Sequence, residues 1–151
     1  MSDTLTAAIA ALPATPGISF RGMTGPPPAR SFVVSAVLPT SADPRIASEN
    51  FQSDRIAAVV TVTGRSVAPL SRHPDEQEIA ILPGTLLLPA GSVAVAGLSN
   101  PVLLLVETGW APGLPADREE LEGAITDKVA SALAQSAVPI HSPGRFTPPR
   151  R

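Results

Sequence analysis

The chain has 151 residues, of which 44% are apolar and only 3% aromatic, and its formal net charge is −2 at pH 7. This length fits a single domain with its own core, and so weak a charge offers no basic field to a nucleic-acid backbone. The absence of cysteine excludes disulfides, zinc–thiolate sites and cysteine nucleophiles. No stretch reads as a membrane span or a signal peptide, so we expect a cytosolic protein or a domain of a larger exported effector.

The predicted elements follow an α+β order. Leu5, Ile9 and Leu12 share one face of a first helix, which Pro13 ends. Runs of branched residues then predict short strands, and Pro44 to Phe51 predicts a short helix among them. The predicted strands after the first lie at 31–38, 56–63, 78–82, 85–88, 92–96 and 102–108. Because the sequence has neither a G-x-G-x-x-G nor a G-x-x-x-x-G-K-T loop, it predicts no Rossmann or P-loop nucleotide site.

A last helix and a tail follow the strands. Asp117 and Glu120 have the spacing of a helix N-terminal cap, and an apolar stripe continues from there at helical spacing (Leu121, Ile125, Val129, Ala132 and Leu133). From residue 139 the chain is rich in proline and arginine, which predicts poor order. We therefore divide the chain into a catalytic domain at 1–112, a packed helix at 113–138 and a disordered tail at 139–151.

Three polar motifs interrupt these elements. Arg21 and Gly22 end the first predicted strand, where a guanidinium can reach over a cleft and a missing Cβ lets a ligand approach. Ser35 lies within the apolar run SFVVSAVL. Glu76 and Glu78 are two residues apart at the start of a strand, so both carboxylates face one cleft. Taken singly, these motifs are typical of a surface arginine, a core hydroxyl and a solvated strand edge.

The order of the motifs resembles the R-S-E class of mono-ADP-ribosyltransferases. The resemblance covers about Leu5 to Glu107 and includes a Leu-Pro before the arginine strand and a strand that ends in glutamate (VLLLVE). It implies an ADP-ribosyltransferase-like fold of two packed, short-stranded sheets with flanking helices. The sequence departs from the family's S-T-S strand, since Ala36 and Val37 follow Ser35, and the segment between Arg21 and Ser35 is short and filled by a Pro-Pro-Pro loop.

The resemblance also implies roles for individual residues, with NAD as the substrate and no metal. Glu78 would stabilise the ribose cation and Ser35 would orient that carboxylate. Arg21 would clamp a phosphate of NAD, with Gly22 and Phe51 completing the NAD site. Glu76 would receive the acceptor, and a glutamate at this position goes with a protein arginine.

Three functions remain open at this point. The first is transfer of ADP-ribose to a protein, in a toxin or effector domain that could have a neutralising partner protein. The second is hydrolysis of NAD on the same fold. The third is a degenerate, non-catalytic relative that binds a partner through its proline-rich loop and last helix. We expect neither nucleic acid nor membrane as a partner, and the two histidines predict no metal site because they are far apart in sequence.

Overall fold

The computed structural model describes residues 3–148 and contains three α-helices and eight β-strands. The helices are α1 (Asp3–Ala10), α2 (Pro44–Ala47) and α3 (Arg118–Leu133). The strands are β1 (Gly17–Met23), β2 (Phe32–Val33), β3 (Leu38–Ser41), β4 (Arg55–Thr61), β5 (Arg65–Ser66), β6 (Glu78–Ile81), β7 (Leu86–Val93) and β8 (Val102–Glu107). Over the described range, no helix has the length and apolar character needed to span a bilayer. The predicted α+β class is therefore confirmed.

The strands form one mixed sheet in the order β2-β7-β8-β4-β1-β3-β6-β5. The neighbouring strands pair antiparallel except for β4 and β8, which run parallel. Where the sequence predicts two packed, short-stranded sheets, the structure has one continuous sheet, because β1 pairs with β3 and so joins both halves. This junction is narrow, since one residue pair, Phe20 with Ser41, makes it. Ser41 is the last residue of β3, so the residues of β3 before it do not pair with the part of β1 that follows Phe20.

Side chains alternate across the sheet and build a core on each face. Phe20 and Ala58 lie on the face covered by α3, whose Ile125 and Val129 are fully buried against them. Ala57 and Val59 point to the opposite face. A smaller cluster forms where α1 packs on the far end of the sheet (Ile9, Val37, Val67 and Ala80).

Two strand predictions are wrong in a way that affects the site. The run at 31–38 is split, because only Phe32 and Val33 form β2 and the next strand begins at Leu38. The strands predicted at 85–88 and 92–96 form one strand, β7, which covers residues 86–93 and has a register shift between Pro89 and Ser92. Bulges of this kind keep a strand continuous through residues that fit a ladder poorly.

The final segment packs on the sheet instead of being disordered along its length. Phe146 and Thr147 are 2% and 9% exposed. Val138 and the Asn50 side chain exchange two hydrogen bonds of 2.9 Å, which guide the chain towards β1. The prediction of disorder is thus wrong for residues 139–148, and residues 149–151 lie outside the described range.

Candidate active site

The two glutamates lie at the beginning of β6, in different backbone settings. Glu78 is the first residue of the strand and is 5% exposed, while Glu76 is 3% exposed. Glu76 ends a short 3-10 helix, Pro74–Glu76, and Gln77 follows in the left-handed region with φ 49°. The two carboxylates are thus not on one strand as predicted. They nevertheless line the same cavity, of about 360 Å³, together with Ile9, Val67, His73 and Arg145.

Arg21 lies on β1 and is partly buried. Its Nη1 donates to the carbonyl oxygens of Pro39 at 2.8 Å and of Arg145 at 3.1 Å. Burial lowers the pKa of Arg21 below its ordinary value, because desolvation disfavours the charged form. Among the described ion pairs none involves Arg21. Its positive charge is therefore held by carbonyl dipoles and has no carboxylate partner there.

Gly22 follows on β1 and donates its amide to the Phe146 carbonyl at 2.9 Å. A Cβ added at Gly22 would lie 2.1 Å from Thr147 Oγ1 and 2.8 Å from the Ala47 carbonyl oxygen. The space that the missing Cβ leaves at Gly22 is thus filled by the chain's own Thr147.

Arg145 lies against Glu78 and is the site residue that sequence analysis missed. Its Nε donates to Glu78 Oε1 at 2.8 Å and its Nη2 donates to Glu78 Oε2 at 2.7 Å, so the ion pair is bidentate. The hydrogen bond with Glu78 raises the pKa of Arg145; burial opposes the rise, and the charges of Glu78 and Glu76 add to it. The nearest sequence signal was Phe146, an apolar anchor beside an arginine in a polar tail.

Ser41, not Ser35, is the serine beside Glu78. Ser41 pairs with Glu78 across β3 and β6, is fully buried, and donates its hydroxyl to the Glu76 carbonyl at 2.6 Å. Ser35 is exposed and follows Val34, which hydrogen-bonds the turn at Gly84, at the other end of this strand pair. The structure does not bring Ser35 to Glu78, because the predicted strand breaks before Leu38.

Phe51 lies after α2 in the left-handed region with φ 64°. Its ring packs against the core cluster beneath α3, and it lines a small cavity with Gly97 and Leu133. It is not among the residues that line the cavity at Glu76 and Glu78. Its predicted part in NAD binding therefore has no contact in this structure to support it.

Two histidines and an aspartate meet at the rim of the cavity. The rings of His73 and His141 stack at 4.1 Å with a 7° angle, and His141 Nε2 lies 3.0 Å from Asp75 Oδ2. The possible ligand atoms of the three residues lie within 4.8 Å of one another. Because a metal lies in the plane of an imidazole ligand, two stacked rings cannot hold one ion as they stand. The contact instead joins residue 141 to the loop that bears Glu76.

No protein-family model matches the sequence, and no curated protein matches it significantly. Solved structures of ADP-ribosyltransferases, however, share its architecture. Exoenzyme S from Pseudomonas aeruginosa, in complex with human 14-3-3 protein beta and bound to carba-NAD, is 20% identical with a TM-score of 0.54, over 87% of this chain and 66% of that chain.

Two further structures agree. The ADP-ribosyltransferase HopU1 of Pseudomonas syringae pv. Tomato DC3000 is 16% identical with a TM-score of 0.53, over 63% of this chain and 46% of that chain. The Vis toxin, an ADP-ribosyltransferase from Vibrio splendidus, is 18% identical with a TM-score of 0.52, over 70% of this chain and 54% of that chain. The chain thus has an ADP-ribosyltransferase-like fold and spans between about half and two thirds of these proteins' lengths.

Proposed function

We propose that the chain is an NAD-dependent mono-ADP-ribosyltransferase that modifies an arginine side chain of a protein. The observation that carries the proposal is the pair of buried carboxylates, Glu76 and Glu78, in one cavity of an ADP-ribosyltransferase-like fold. The nearby Arg21 guanidinium, held by carbonyl oxygens only, offers a positive charge to the diphosphate of NAD. Because a fold alone does not determine activity, assignment of a transferase activity depends on these groups.

The reaction would break the bond between the ribose C1′ and the nicotinamide nitrogen, whose electron pair leaves with nicotinamide. Positive charge develops on the ribose, and the fixed Glu78 carboxylate stabilises that charge more strongly in the transition state than in the ground state. The acceptor nitrogen then bonds to C1′ and loses its proton to Glu76. Ser41 would position Glu76, since its hydroxyl holds the Glu76 backbone carbonyl at 2.6 Å.

The choice of arginine is supported by what the cavity already binds. Glu78 holds the Arg145 guanidinium through both of its oxygens, and the negative charge of Glu76 further favours this cation. A cleft in which one buried carboxylate binds a guanidinium and a second buried carboxylate adds its charge is suited to an acceptor arginine. Modification of proteins by a toxin or effector is the corresponding biological role, since Vis is a toxin of this fold.

Incubation with NAD labelled in its adenine ring, with and without cell lysate, tests the proposal. Because Arg145 covers Glu78, the full chain is assayed both unchanged and as Arg145→Ala. We expect free nicotinamide and label on protein arginine, and Glu78→Gln should lower nicotinamide release roughly a hundredfold or more. Nicotinamide release without labelled protein would indicate an NAD glycohydrolase. The absence of release from both proteins would contradict the proposal and favour a non-catalytic binding domain.

A further inference from the structure

The segment from His141 to Pro148 crosses the candidate active site and contacts three of the residues assigned to NAD, which are Arg21, Gly22 and Glu78. Arg145 occupies both oxygens of Glu78, and its carbonyl accepts from Arg21 at 3.1 Å. The Phe146 carbonyl accepts a hydrogen bond from the Gly22 amide, and the Thr147 side chain fills the space that the missing Cβ of Gly22 leaves open. We refer to residues 141–148 as the plug segment.

Further contacts fix the plug segment at both ends and bury its middle. The Gly144 amide donates to Glu49 Oε2 at 2.7 Å, and Thr147 Oγ1 donates to the Ala47 carbonyl at 2.6 Å. His141 stacks on His73 at the rim. Phe146 is 2% exposed, so the segment is seated in a groove and does not lie loosely on the surface.

The groove exists because β3 pairs with β1 only through its last residue, Ser41, so the earlier residues of β3 do not pair with β1 beyond Phe20. The Gly22 amide points to this unpaired side of β1, and the plug segment supplies its backbone acceptor, the Phe146 carbonyl. Such an unpaired strand edge is a ready site for another extended segment. The groove therefore recognises a peptide by backbone pairing at Gly22 and by an arginine at Glu78.

We propose that this groove is a peptide-binding site whose occupant is the chain's own plug segment, and that the plug segment and NAD exclude each other. The inference rests on the proposed function, since the excluded substrate is NAD. A tethered segment acts at a high effective concentration, so it holds the site closed without high intrinsic affinity. Activity then requires release of residues 141–148, with the catalytic groups already in place beneath them.

Calorimetry with NAD on full-length variants tests this exclusion. Arg145→Ala removes the contact with Glu78, and Glu49→Asn weakens the Gly144 contact without touching a catalytic group. Asparagine tolerates the positive φ of 52° at position 49. Both variants should bind NAD more tightly than the unchanged chain, by roughly tenfold for Arg145→Ala, because the apparent affinity rises with the fraction of open sites. Arg30→Ala is the matched control, since Arg30 is exposed, and it should leave the affinity unchanged.

The direction of the change separates the explanations. Weaker NAD binding by Arg145→Ala would make Arg145 a substrate ligand, and equal binding would make the segment a structural element; either result overturns the proposal. A failure of all four proteins, the unchanged chain included, to bind NAD would instead contradict the proposed function.

A synthetic peptide of residues 139–151 provides a second test on the Arg145→Ala chain. The peptide should compete with NAD for that chain, whereas the same peptide with alanine in place of Arg145 should compete at least roughly tenfold less well, a ratio that corresponds to the loss of one charge-assisted contact. Equal competition by both peptides would remove the arginine from the recognition of this groove.

Discussion

Glu76 and Glu78 are the same residue type, but their backbones lie in different structural settings. Glu78 is fixed by β6 and faces Ser41, whereas Glu76 ends a 3-10 helix one left-handed residue earlier. The hydrogen bond from Ser41 fixes the backbone of Glu76, which lines the cavity. Under the proposed function, this difference assigns the sugar chemistry to Glu78 and proton removal from an acceptor to Glu76.

Glu76→Gln should separate the two activities. We expect transfer to protein to fall by about a hundredfold, the usual contribution of a positioned base, because a guanidinium has a pKa far above neutral and needs that base. Nicotinamide release should stay within about threefold, since Glu78 still faces the ribose. Both activities are measured on one preparation of the full chain, with Glu119→Gln, an exposed glutamate on α3, as control. A parallel fall of both activities would show that the carboxylates act as one unit.

Some candidate site residues could be identified from local sequence patterns. Arg21 and Gly22 end a predicted strand, and Glu76 and Glu78 are two residues apart at the start of another. Arg145 gave no such signal, because its contact with Glu78 spans 67 residues and it lies outside every predicted strand and helix. A non-local ion pair depends on how the chain returns to the sheet, which composition does not encode.

Strands and helices with one unbroken pattern were predictable, and those with interruptions were not. The branched run that forms β4 and the apolar stripe of α3 both appear close to their predicted bounds. The prediction of one strand at 31–38 was wrong because the apolar residues continue through an exposed interruption of the strand at Ser35. The continuity of β7 through its register shift was not predicted, because Pro89 and Gly91 normally indicate the end of a strand.

Strand β8 ends in a residue that stabilises its neighbour β4. Glu107 Oε1 accepts the amides of Val62 and Thr63 at 2.7 and 2.9 Å, and Oε2 accepts the Thr63 hydroxyl at 2.7 Å. Three donors therefore depend on one carboxylate at the end of the parallel pair. Glu107→Gln should lower the free energy of unfolding by about 1–2 kcal/mol, because an amide accepts through one oxygen only.

Urea unfolding of the full chain checks this value, again with Glu119→Gln as the matched variant. The midpoint should fall without a change of slope, since the buried surface is the same. NAD binding should remain as in the unchanged chain, because Glu107 does not line the cavity at Glu78. An unchanged midpoint would mean that solvent replaces the carboxylate at no cost.

For the whole molecule, the decisive property is how its stability is distributed between the sheet and the plug segment. Val59 lies in β4 at the centre of the sheet and is fully buried, so its exposure requires the core to open. Gly22 is in the next strand, but its amide bonds to Phe146 of the plug segment. Regions held by few contacts open locally at a lower free energy than the core.

Hydrogen exchange of individual amides should therefore reveal two levels of protection. We expect the Gly22 amide to exchange through release of residues 141–148, and the amides of β4 through global unfolding. Arg145→Ala should lower the protection of Gly22 by roughly tenfold, because the closed state loses its contact with Glu78, and should leave Val59 unchanged. Arg30→Ala should alter neither amide. If Arg145→Ala lowers the protection of Gly22 and Val59 by the same factor, the plug segment unfolds only together with the sheet, and the site could not open while the fold persists.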